Sequence, residues 1–290
     1  MTNLSHHQIS YNMSSRRSFL RNAALGAVAT TVSPMLGKAA FTPYAGPDSF
    51  PVGMAGYTFA KFDLDQAIVM MKRVGIQFIS VKDIHLPLNS SPEKIKEVLD
   101  KFAAADIKVY AVGVIYMKTE KAVDDAFAYA KRVGVPLIVG VPNPELLDYT
   151  EKKVKEYDIR IAIHNHGPED KLYPGPKNVY DLIKNRDPRI GICLDIGHAM
   201  RAGEEPGKAI REYKSRIFDL HIKDVTVGSN KGKATEIGRG VIDFAGLIKS
   251  MQKIKFAGVA SIEYEKDMSD PLPGIAESAG FFRGVIKTLA

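Results

Sequence analysis

The sequence has no tryptophan and only one cysteine in 290 residues. A single cysteine excludes an internal disulfide. It lies in the apolar run Ile190-Gly191-Ile192-Cys193-Leu194 and reads as a small buried hydrophobe, not a reactive thiol. Acidic residues are missing from the first 47 positions, where Arg16, Arg17, Arg21 and Lys38 stand alone, so the net charge of +7 overstates the basicity of the body. With those four set aside, 36 of the 40 basic residues face 33 acidic ones. This near-balance gives no electrostatic footprint for nucleic acid. A glycine-rich phosphate turn after the first strand is also missing, because Gly53-Met54-Ala55-Gly56 sits within a strand-like run. Long apolar runs are scarce: Asn22 to Leu36 is short and rich in Ala, Gly and Thr, a poor candidate for a bilayer span.

What stands in that region is an address. Ser15-Arg16-Arg17-Ser18-Phe19-Leu20-Arg21 precedes the mild apolar stretch, and Gly37, Ala39 and Ala40 supply small residues for cleavage. Adjacent arginines before Ser-Phe-Leu resemble a twin-arginine export signal. Residues 1–39 are therefore expected to be a leader cut near Ala39, with the twin-arginine export machinery as partner and a periplasmic or otherwise exported product. Residues 40–50 read as a linker and 51–290 as one domain.

The body alternates short apolar runs with amphipathic ones. Strands are expected at Val52–Phe59, Gln77–Val81, Lys108–Val114, Leu137–Val141, Arg160–Asn165, Ile190–Asp195, Phe218–Lys223 and Val259–Tyr264. Helices are expected at Leu64–Val74, Pro92–Ala105, Glu120–Val133, Glu145–Tyr157, Val179–Lys184, Lys208–Lys214, Phe244–Lys253 and Ile275–Leu289. Asp63 and Ser91-Pro92 offer helix starts, and Gly75 and Gly134 offer stops. Eight such units predict an α/β class, single-domain (β/α)₈ TIM barrel over an open doubly wound sheet. The longest loop, Val225–Ile242, follows the seventh strand.

His85, His164, His166, His198 and His221 each fall at or just past the C-terminal end of a predicted strand, and none on a predicted helix. In a barrel that end carries the chemistry. Alternation turns His164 and His166 to one side. Asp195 or Glu263 would be costly to bury ionised unless paired or bound to a cation. Imidazoles with carboxylates suit Zn²⁺, Mn²⁺, Fe²⁺ or Co²⁺ better than Ca²⁺ or Mg²⁺. The competing explanation is a salt-bridged cluster in which Lys223 or Arg201 neutralises the acids. Lys82 and His85 could contact substrate or merely seal the second loop. Tyr57, Tyr110 and Tyr116 could wall the pocket or fill the core. The backbone of Gly238-Arg239-Gly240 could bind an anion.

The succession Ile-His164-Asn165-His166-Gly, Leu-Asp195-Ile-Gly-His198, His221-Ile-Lys223-Asp, Gly238-Arg239-Gly-Val-Ile-Asp-Phe and Ser-Ile-Glu263-Tyr-Glu265 resembles the sugar phosphate isomerase/epimerase group of the xylose-isomerase-like TIM-barrel superfamily. The resemblance covers Val52 to Ala290. It implies one divalent metal held by His164, Asp195, His221 and Glu263, with Glu263 preferred to Glu265 because the motif places the ligand first. It also implies that His198 contacts substrate and that Lys223 and Arg239 meet substrate oxygens. Epimerases of the group have Glu where this chain has His164, which removes one of two matched carboxylates and leaves Glu263 or His166 as base.

Three functions follow as expectations. The first is a metal-dependent isomerase or epimerase of a non-phosphorylated sugar, working by proton abstraction next to a carbonyl. The second is a lyase that cleaves 3-keto-glycosides by β-elimination. The third is a non-catalytic exported sugar-binding barrel. The partner in each case is a small carbohydrate, and a homo-oligomer is compatible with the sequence.

Overall fold

The computed structural model describes residues 50–290. The expected export signal, and the linker as far as residue 49, lie outside the described residues. Eight parallel strands close into a barrel in the order β1-β10-β7-β6-β5-β4-β3-β2. These are β1 (Val52–Ala55), β2 (Phe78–Val81), β3 (Lys108–Met117), β4 (Leu137–Pro142), β5 (Arg160–His164), β6 (Ile190–Asp195), β7 (Ile217–Ile222) and β10 (Ala260–Ile262). The short strands β8 (Asp224–Val225) and β9 (Ala234–Thr235) form a separate antiparallel pair inside the long loop after β7. Central strands are buried along their whole length, as the runs Leu137–Pro142 and Ile190–Asp195 require when helices cover the outside and side chains fill the inside.

The surrounding helices are α1 (Leu64–Arg73), α2 (Pro92–Ala104), α3 (Glu120–Val133), α4 (Leu147–Tyr157), α5 (Pro176–Ile183), α6 (Ile196–Arg201), α7 (Pro206–Glu212), α8 (Phe244–Lys253) and α9 (Pro271–Leu289). Local sequence explains their ends. Asp63 and Gln66 form a reciprocal capping box on α1, while Ser91 caps α2 ahead of Pro92. Gly134 ends α3 at φ 79°, a left-handed conformation that costs glycine little.

Two departures from expectation have a physical cause. The first strand stops at Ala55 and turns into a 3₁₀ segment, Gly56–Phe59. Here the chain crosses β2 so closely that a Cβ on Gly56 would stand 2.8 Å from Ser80 O and Lys82 N. Helix α6 was hidden because it is short and starts inside the motif: the Asp195 side chain accepts from the backbone N–H of His198 at 2.8 Å. His198 is thus on a helix, contrary to the expectation that none of the rim histidines would be.

Candidate metal centre

Strands β5, β6, β7 and β10 are consecutive neighbours in the barrel wall, so their C-terminal ends converge. Because side chains alternate, residues two apart on a strand point inward together at successive depths. The upper inward layer contains His164, Asp195, His221 and Glu263, all buried, with one ligand atom of each lying within 4.8 Å of the others. His164 Nε2 is 3.0 Å from His221 Nδ1, 3.5 Å from Asp195 Oδ2 and 3.9 Å from Glu263 Oε2. His221 Nδ1 is 3.2 Å from Glu263 Oε2.

This geometry fits a bound cation. Four tetrahedral ligand atoms at about 2.0–2.2 Å from one ion lie about 3.2–3.6 Å from each other. Asp195 Oδ2 also accepts no well-aligned hydrogen bond despite its burial, although such an acceptor is normally paired. Both softer and harder donors are present, as Zn²⁺, Mn²⁺, Fe²⁺ or Co²⁺ prefer. The backbone of Asp195 is itself fixed. Asn165 donates from Nδ2 to its carbonyl and accepts from its N–H, each at 3.0 Å. Asn165 stands between the two histidines of the sequence motif, where the sequence alone assigns it no role.

Lys223 departs from the expected role of meeting substrate. Its ammonium is buried, 3.0 Å from Asp195 Oδ2, 2.8 Å from Glu263 Oε2 and 2.7 Å from Glu265 Oε2. Burial opposes charge on Lys223, but the three carboxylates outweigh it and hold the group well above the usual lysine range. The same balance works in reverse on Glu263. Burial alone would raise its pKa, yet Lys223 and His221 hold it well below the ordinary carboxylate value. For His221, burial is outweighed by Glu263 and Asp219, and its pKa is raised. The ligand set and the salt-bridged cluster are therefore the same place, with Lys223 as the neutralising cation.

The rim histidines differ. His166 stacks on Tyr116, and its Nε2 is 2.8 Å from the tyrosine hydroxyl. Its ring lies 4.4 Å from that of His164, as alternation requires. Burial and the neighbouring His164 push its pKa down to about 3. His198 is lowered to about 4, first by burial. Both are neutral imidazoles at ordinary pH.

Other expected contacts fall elsewhere. His85 is buried with Nε2 against Phe62 O at 3.0 Å, and Lys82 donates to Val114 O at 2.6 Å and pairs with Asp83 at 3.1 Å. These bonds tie the loop after β2 to its neighbours, which favours the sealing role. Arg239 is exposed and pairs with Glu277 of α9, with Nη2 2.8 Å from Oε2, instead of reaching the cluster. The proposed anion nest is filled from within, because Asp224 accepts from the N–H groups of Val225, Gly238, Gly240 and Ile242. A charged residue before a glycine-rich loop was the only sequence signal for that internal anchor. Tyr110 is buried below the cluster, and Tyr116 alone of the three tyrosines touches a rim histidine.

The chain is 30% identical over 89 residues to 3-oxo-isoapionate decarboxylase of Pectobacterium atrosepticum, covering 25% of this chain and 32% of that protein. It is 25% identical over 131 residues to inosose dehydratase of Clostridium botulinum, covering 39% and 42%. The chain thus spans less than half the length of these curated relatives. Among solved structures, the zinc-bound IolI protein superposes with a TM-score of 0.68 at 17% identity, over 82% of this chain and 98% of that one, a likeness of fold. The fit to the xylose isomerase-like TIM barrel runs over residues 40–285, and the chain belongs to that family.

Proposed function

We propose that the protein is a divalent-metal-dependent lyase that removes the proton beside the ketone of an oxidised (3-keto) glycoside and expels the aglycone by β-elimination. The observation that carries this reading is the position of the acids. Asp195 and Glu263 share one ammonium, Lys223, and the neighbouring strand β5 supplies the imidazole His164, 3.5 Å from Asp195 Oδ2, where a matched second carboxylate would be needed for epimerisation. Epimerisation needs a base on each face of the substrate, whereas elimination needs one base and one proton donor. The dehydratase among the relatives supports an eliminating outcome.

A cation held by His164, Asp195, His221 and Glu263 would supply Lewis acidity toward the ketone oxygen. Glu263, kept ionised by Lys223 and His221, takes the proton from the carbon next to the ketone. The electron pair of that C–H bond becomes the new C=C bond. The bond from the β-carbon to the aglycone oxygen breaks, and its electrons leave on oxygen. The departing oxygen is protonated at the mouth, where Tyr116 and His166 form a hydrogen-bonded pair. His198 steadies a substrate oxygen. No redox partner is required. Glycosides are encountered outside the cell, which agrees with the export expected from the leader.

The test uses metal-reconstituted protein and a nitrophenyl 3-keto-glucoside deuterated beside the ketone. The expected result is release of nitrophenol and an unsaturated ketone, slowed by the deuterium. Exchange of the label with inversion and no nitrophenol release would overturn elimination in favour of the epimerase.

A further inference from the structure

Arg201 ends α6 and holds three parts of the mouth at once. Its Nη2 pairs with Glu169 in the segment after β5 and donates to Asn230 O at 3.3 Å in the loop after β7. Its Nη1 lies 3.3 Å from Nδ1 of His198. A guanidinium has donors only, so at this contact Nδ1 of His198 must accept. A neutral imidazole carries one proton, which is then on Nε2. Among the described residues, Nε2 of His198 has no hydrogen-bond partner, and its ring lies beside those of His164 and His166, with centroids 6.3 and 6.1 Å away. The backbone is cut to this arrangement. A Cβ on Gly167 would fall 2.9 Å from His198 Nδ1 and 3.2 Å from Arg201 Nη1.

We propose that Arg201 is a positioning residue that fixes His198 as its Nε2–H tautomer, so that His198 presents a hydrogen-bond donor, and never a base, to an oxygen of the substrate. The role toward substrate rests on the carbohydrate reading of the site, but the tautomer does not. The pairing also makes one residue responsible for docking the β5 and β7 segments onto the short helix that carries His198. Arg201 does not neutralise the acids of the ligand set, since its carboxylate partner is Glu169.

The experiment is long-range ¹H–¹⁵N NMR of histidine-labelled full-length protein, metal-free and Zn²⁺-loaded, with the His198 signals identified by their loss in His198→Gln. The wild type is expected to show an unprotonated Nδ1 and a protonated Nε2. Arg201→Met is expected to lose that pattern and Arg201→Lys to restore it in part. With a working substrate, Arg201→Met should lower kcat ~10-fold with little change in KM. A wild-type spectrum with the proton on Nδ1 would overturn the proposal even if the Arg201 variants fail to fold. An unchanged tautomer in a folded Arg201→Met would overturn it too. If no carbohydrate reacts but the tautomer depends on Arg201, the substrate reading has failed and the positioning role stands.

Discussion

Two layers of polar side chains line the barrel interior, one register step apart on the same strands, and they have opposite character. The upper layer holds Asp195, His221 and Glu263, and the lower holds Cys193, Asp219 and Ser261, each two residues earlier on β6, β7 and β10. Above, the acids are ionised, held by Lys223, whose ammonium is 3.0 Å from Asp195 Oδ2 and 2.8 Å from Glu263 Oε2. Below, among the described residues, Asp219 forms no ion pair, although His221 and Arg160 act on it through charge. Burial raises its pKa to about 7, and it is bonded by the Tyr110 hydroxyl, with Oδ2 2.9 Å away, while Ser261 Oγ is 2.7 Å from the same hydroxyl. Burial is complete in both layers, so depth alone does not set protonation. What differs is the partner: an ammonium above, hydroxyls below. The lower layer is a hydrogen-bond network, and the upper one is a charged cluster of His, Asp and Glu side chains that could hold a metal ion.

The largest effect that would break this comparison is on stability. Asp219 has its pKa raised on folding, so the unfolded chain releases the proton first as pH rises. The cost is absent below about pH 4 and grows until pH passes about 7. Asp219→Asn keeps the hydroxyl partner without the ionisable proton. It should match the wild type near pH 4 and exceed it above pH 7 by up to about 4 kcal/mol, an upper figure from roughly three pKa units at 1.36 kcal/mol each. Denaturant unfolding at the two pH values checks this, and equal pH profiles would mean that the lower layer is ionised like the upper.

A smaller effect sharpens the contrast from above. Asn165 touches no ligand atom and braces only the backbone of Asp195. Asn165→Ala should weaken metal affinity ~10- to 100-fold, measured by chelator competition, with the barrel still folded. Unchanged affinity would show that Asp195 needs no brace.

Much of this was legible in the sequence. The eight apolar runs with their caps and stops gave the barrel, because parallel strands buried on both faces leave a strong signal. The tetrad was readable because His164, Asp195, His221 and Glu263 all close predicted strands. Side-chain partnerships across strands were not readable. Lys223 reads both as a substrate contact and as a cation neutralising the acids, and nothing in His-Ile-Lys-Asp decides between them; in the fold its ammonium turns into three carboxylates. Arg239 looked close to the mouth because loop sequence does not encode direction, and in the fold it pairs with α9. Helix α6 was missed because six residues are too few to show a helical period. Asp219 passed as one more strand residue, since the hydroxyl that protects it comes from Tyr110 on the far side of the barrel.

The central claim is that the upper layer is a metal centre. The direct measurement is elemental analysis of protein purified without chelator, wild type beside Asp195→Ala and His221→Ala. The account predicts near-stoichiometric Zn, Mn, Fe or Co in the wild type and its loss in both variants, with folding retained by circular dichroism. A wild type that stays metal-free after reconstitution, or variants that keep the metal, would contradict it and leave Lys223 as the only cation the site was built to hold.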